Sequence, residues 1–190
     1  MAYITTNNFI DTGNSIYKIN NQNEGVYPTF AKNIALQIEA ILSYHSKVLF
    51  FRFDLHLKEY TPDNKVVSDY IQRLGKAFKK QHSLKRYVFA WAREQKTSEA
   101  QHYHLIICVN GHQYNFPHNL LETCKQLWNV NGNYLSHPKG KQYLMIYRDN
   151  YSLVAEAVEW ASYLAKVYTK NKNRPLNTKR FGCSRLKVKP

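Results

Sequence analysis

The stretch Glu99-Ala100-Gln101-His102-Tyr103-His104-Leu105-Ile106-Ile107-Cys108-Val109 decides how this chain is read. Its β-branched, apolar second half marks a strand. A strand turns successive side chains to opposite faces. His102 and His104 therefore share one face, two residues apart, as a two-pronged metal ligand. Tyr103, Leu105 and Ile107 point into the core.

The segment before it, Arg86 to Glu94, reads as a second strand. The two form a hairpin closing around Lys96 to Ala100. If Gln95 opposes Gln101, Glu94 falls directly opposite His102, and opposed residues share a face. Two imidazoles and one carboxylate leave positions open on a divalent ion, which can then bind a phosphate oxygen and polarise phosphorus. The mixed donors suit Mn²⁺ or Zn²⁺, and Mg²⁺ less naturally.

Further outward, Val48 to Leu57 is a strand of β-branched and aromatic character. Phe51, Phe53, Leu55 and Leu57 lie on one face; Phe50, Arg52, Asp54 and His56 lie on the other. Thr29 to Tyr44 has apolar residues at helical spacing. Pro62-Asp63-Asn64 opens a helix running to about Gln81. Pro117 to Trp128 is a short helix, Gln142 to Arg148 a strand, and Tyr151 to about Lys172 a long helix ended before Pro175. The central order, strand–helix–strand–strand–helix–strand, is a split βαβ pattern. It predicts an α+β, ferredoxin-like (RRM-like) antiparallel sheet with helices on one face and the histidines on the open one. Residues 1–28 read as an irregular arm, 29–173 as the domain and 174–190 as a basic tail.

The closing helix carries Tyr163-Leu164-Ala165-Lys166. Residues at i and i+3 are neighbours on a helix, so Tyr163 and Lys166 address one phosphate together, with Lys170 a turn further on. A tyrosine is a nucleophile that can hold a DNA end covalently, and a nearby lysine offsets charge in the transition state. The motif alone is weak among 15 tyrosines. Tyr44-His45-Ser46-Lys47 repeats it with no such setting. Its weight comes from following a Glu and a His-x-His in a basic chain.

The 190 residues carry 27 Lys+Arg against 13 Asp+Glu, a formal charge of +14. That surplus favours polyanions, above all nucleic acid. Arg52, Asp54, His56, Lys170, Lys172, Arg174, Lys179 and Arg180 are the expected nucleic-acid contacts. The three cysteines are too far apart for a metal knuckle. Their odd number reads as free thiols in a reducing cytoplasm. No signal-peptide pattern opens the chain, and no apolar run approaches the ~20 residues of a membrane span.

With these pieces together the chain resembles the HUH endonucleases, named for histidine–hydrophobic–histidine, and among them the inovirus-type replication proteins that also occur in prophages as the YagK/YfjJ domain. The resemblance rests on Phe51-Arg52-Phe53-Asp54-Leu55-His56, Trp91-Ala92-Arg93-Glu94, His102-Tyr103-His104-Leu105 and Ser162-Tyr163-Leu164-Ala165-Lys166-Val167-Tyr168. It implies a divalent ion (Mn²⁺ or Mg²⁺) on Glu94, His102 and His104. It implies Tyr163 as nucleophile with Lys166 beside it, and a 5′-phosphotyrosine intermediate with a free 3′-OH. The implied role is initiation of rolling-circle replication on single-stranded DNA, with host helicase and polymerase as partners. Phage initiators with two catalytic tyrosines space them four apart. Here position 167 is valine, and Tyr168 lies about 140° round a helix from Tyr163, so a single nucleophile is expected. The alternatives are a prophage DNA-binding regulator without catalysis, and an RNA-binding domain reading bases with sheet aromatics.

Overall fold

A computed structural model describes residues 3–21, 25–95, 99–167, 175 and 178–190. The chain runs β1 (Phe9–Asp11), β2 (Ile16–Lys18), α1 (Pro28–Tyr44), β3 (Lys47–His56), α2 (Lys65–His82), β4 (Tyr87–Glu94), β5 (His102–Asn110), α3 (His118–Trp128), β6 (Tyr134–Ser136), β7 (Tyr143–Tyr147), α4 (Tyr151–Ser162), a 3₁₀ turn (Tyr163–Ala165) and β8 (Phe181–Cys183). The fold is mixed α+β with antiparallel sheets.

The main sheet has the order β6-β3-β5-β4-β8, and β7 also pairs with β3. β6 and β7 share the outer side of β3, β6 against Asp54–His56 and β7 against Lys47–Phe51. Each strand was expected from its pattern except β6 and β8, which are three residues long.

Helices cover both faces of the sheet, not one. α2 and α3 pack Val67, Tyr70, Leu74, Phe78, Leu120, Cys124 and Trp128 on Phe51, Phe53, Leu55, Tyr103, Leu105 and Ile107. α1 and α4 pack Ile34, Ile38, Ile41, Val154, Ala157 and Val158 on Val48, Phe50, Ala90, Ala92, Ile106 and Cys108. The reason is in the strands themselves. Phe50-Phe51 and Ile106-Ile107-Cys108 are apolar on both sides, the mark of a strand buried on both faces. Only one end of the α1/α4 face is polar. There Arg52, Asp54, His56, Glu94, His102 and His104 replace the apolar set, and the candidate site lies at that end.

The terminal segments belong to this core. β1 and β2 form an antiparallel hairpin, with Ile10, Tyr17, Ile19, Val26 and Tyr27 buried against α1 and α4. The expected irregular arm thus carries regular structure. In the tail, β8 extends the sheet beside β4. Gln37 of α1 then pins the chain beyond it, accepting from Leu186 N at 2.8 Å and donating to Leu186 O at 3.2 Å.

Candidate active site

Three strands deliver the polar residues by register alone. Glu94 pairs with His102 and Ala92 with His104 across β4 and β5. Asp54 pairs with His104 and His56 with His102 across β3 and β5. The hairpin register expected from Gln95 and Gln101 is the one found. Tyr103 points the other way, as expected. Its hydroxyl lies 3.1 Å from Asn64 Oδ1, and burial pushes its pKa up. Arg93, on Tyr103's side, donates to Asp63 O at 2.7 Å and Thr61 O at 2.8 Å. It thereby fixes the β3–α2 loop.

His104 is only 6% exposed and Glu94 8%. The ring of His104 spans two carboxylates, Nδ1 to Asp54 Oδ1 at 2.6 Å and Nε2 to Glu94 Oε2 at 2.8 Å. Burial raises the Asp54 pKa, but the His104 hydrogen bond and the charges of His104, Arg52 and His102 outweigh it, so the net shift is downward. Asp54, expected on nucleic acid, is hydrogen-bonded to His104 here. His56, expected beside it on nucleic acid, stacks on Tyr134 at 4.4 Å and bonds Ser136 Oγ at 2.8 Å. Burial lowers its pKa, with Asp54 opposing.

Donor atoms of Glu94, His102 and His104 lie within 4.8 Å of one another. Two ligands at about 2.1 Å from one ion are at most about 4.2 Å apart. Side-chain shifts of about half an ångström would therefore close the set on a metal. With Nδ1 donating to Asp54, His104 presents Nε2 as its ligand atom, the usual arrangement for a metal-binding histidine. The donor set fits a divalent ion.

The expected long helix stops at Ser162, short of about Lys172. Ser162 Oγ donates to Glu159 O and accepts from Asn20 N, both at 2.7 Å. Tyr163 begins the 3₁₀ turn, and Lys166 follows in a backbone bridge to Val26. Tyr27 N donates to Ala165 O at 2.9 Å and Val167 N to Gly25 O at 3.1 Å. The N-terminal arm thus holds the tyrosine turn in place, which no local pattern signalled. The i, i+3 pairing survives, since such residues eclipse in a 3₁₀ turn. Lys166 Nζ is 3.8 Å from the centre of the Tyr163 ring, and Arg52 Cζ is 4.5 Å from it. The ring meets His104 edge-on at 5.7 Å.

The profile of the YagK/YfjJ C-terminal domain matches residues 9–184. The chain belongs to this family. No curated protein and no solved structure showed significant similarity to it. In this YagK/YfjJ domain the matched span takes in the β1–β2 hairpin and β8 as well as the site. Lys179 and Arg180, together with Arg185 and Lys187, line a groove of about 930 Å³ between α1, the start of α2 and β8, with no acidic residue among the described residues of its lining. Lys170, Lys172, Arg174 and Tyr168 lie outside the described residues. Among the described residues no helix is long and apolar enough to cross a membrane.

Proposed function

We propose that this chain is a metal-dependent, site-specific enzyme that nicks and joins single-stranded DNA and starts rolling-circle replication of a filamentous phage or prophage element. The observation that carries the reading is the position of Tyr163. Its ring packs against His104 of a Glu94–His102–His104 donor set, with two cations over it. The four strands of the βαββαβ core stand in the order 4-1-3-2 when β6 and β7 are counted as one. That order supports the ferredoxin-like HUH architecture.

Held by Glu94, His102 and His104, a divalent ion, Mn²⁺ or Mg²⁺, would supply Lewis-acid polarisation of the scissile phosphate. The chain's own residues do the rest. Tyr163 Oη forms a bond to phosphorus, and the bond from phosphorus to the 3′ oxygen breaks. The phenol gives up its proton and the departing 3′ oxygen gains one, leaving a 5′-phosphotyrosine and a free 3′-OH. Lys166 and Arg52 offset the negative charge that builds in the transition state. Asp54 keeps His104 turned toward Glu94. Lys179 and Arg180 bind flanking phosphates along the basic groove. The free 3′-OH would prime host polymerase in the bacterial cytoplasm, with a host helicase opening the duplex.

The test is a denaturing gel of the purified protein with labelled single-stranded DNA pools and Mn²⁺ or Mg²⁺. A protein–DNA adduct is expected, lost with EDTA and with Tyr163→Phe while DNA binding persists. An adduct that survives Tyr163→Phe sinks the assignment. Tight, salt-sensitive binding with no adduct on a pool containing a cleavable site would instead favour a DNA-binding regulator.

A further inference from the structure

Arg52 projects from β3 into the site, flanked by Tyr163 and Asp54, and its side chain is 17% exposed. Its Nε is buried and has no hydrogen-bond partner among the described residues. A buried donor of a charged group left unmatched is expensive, so such a group is commonly matched by something that binds there. The rest of the guanidinium is poorly matched too. Nη2 stands 3.9 Å from Asp54 Oδ1, beyond hydrogen-bond length. It stands 3.5 Å from His104 Nδ1, a nitrogen already engaged with Asp54 at 2.6 Å. The nearest carboxylate is thus spent on the histidine, and the arginine keeps its charge and its donor for another acceptor.

We propose that the Arg52 guanidinium, partly exposed and poorly matched by its neighbours, is the donor of an anion subsite that takes a non-bridging oxygen of a phosphodiester beside Tyr163. The identity of the anion rests on the nicking reading above; the subsite itself does not. A guanidinium offers planar, directional donors suited to phosphate oxygens, which an ammonium cannot copy. Arg52 forms and breaks no covalent bond. It fixes the phosphate next to the phenolic oxygen, and Lys166, over the same ring, supplies the second positive charge.

The test has two arms on the full chain. The first titrates inorganic phosphate, without metal or DNA, into ¹⁵N-labelled protein and follows arginine Nε–H resonances, against chloride at equal ionic strength. The Arg52 signal is assigned in the wild type by through-bond correlation to its own Cβ and Cα resonances. A saturable shift of that signal is expected. The second arm compares adduct formation in the wild type, Arg52→Lys and Arg52→Gln at saturating DNA. Both variants should slow it by about 100-fold, the cost of one lost oxyanion donor, with Arg52→Lys no better than Arg52→Gln. An Arg52 Nε–H signal indifferent to phosphate overturns the proposal, because a residue that merely packs on Tyr163 would behave so. Full-rate adduct formation by Arg52→Lys overturns it as well. A phosphate response with no adduct from the wild type upholds the subsite and sinks the nicking reading instead. The first arm reads the wild-type protein, so a variant that fails to fold leaves it intact.

Discussion

His104 makes contact with a carboxylate through each ring nitrogen, Asp54 on one side and Glu94 on the other. The two carboxylates serve different ends. Glu94 shares the His102 register position and completes the donor set, whereas Asp54 lies outside it and turns the ring. Replacing such an orienting partner typically costs 10–100-fold in metal affinity. Asp54→Asn should therefore weaken Mn²⁺ binding by roughly that factor in calorimetry, while His104→Ala abolishes it. Unchanged affinity in Asp54→Asn would remove Asp54 from the site. The pairing of Glu94 with His102 was legible in the sequence because a short hairpin ties the two together. That of Asp54 with His104 was not, because 50 residues separate them and only the β3–β5 register joins them.

At the scale of elements, two joints can be tested away from the chemistry. His82 closes α2 onto α3, with Nε2 2.8 Å from Thr123 Oγ1 and Nδ1 3.0 Å from the Tyr114 hydroxyl. Burial lowers its pKa below the ordinary value of 6.5. The unfolded chain then takes up this proton before the folded one does. Its contribution is complete above pH 6.5 and is lost as pH falls through the lowered value. The wild-type melting temperature should drop more steeply than that of His82→Gln below pH 6.5. Parallel curves would contradict the assignment. The second joint is β8. A Cβ on Gly182 would stand 2.8 Å from the Trp91 indole, so the edge strand seats only with glycine there. Gly182→Ala should cost about 1–3 kcal/mol in urea unfolding, as overpacking does; an unchanged midpoint would show that the strand can move aside. β8 and β6 escaped the sequence because a strand of three residues is defined by its neighbour and not by its own alternation. The end of α4 escaped for a similar reason. Apolar periodicity continues past Ser162, but contacts from Asn20 and Val26 pull the chain into a 3₁₀ turn and a bridge.

Across the whole molecule, the sheet is a buried middle layer whose α1/α4 face changes character along its length. Apolar residues fill it beneath the helices, and six polar residues occupy the end the helices leave. The identities of β3, β4, β5 and β7 and the direction of His102, His104 and Tyr103 followed from residue type and alternation. Cover on both faces was legible in Phe50-Phe51 and Ile106-Ile107 but was masked by the polar residues that share those strands. The N-terminal arm showed no period, yet it carries the backbone bridge that sets Lys166 beside Tyr163. The central claim is that Tyr163 becomes the covalent link to DNA. The most direct measurement is mass spectrometry of the protein after reaction with a cleavable single strand and Mn²⁺, followed by nuclease trimming and proteolysis. The expected result is a Tyr163 peptide heavier by a 5′-phosphonucleotide. Cleaved DNA with an unmodified Tyr163 peptide, or the nucleotide on another residue, would contradict it.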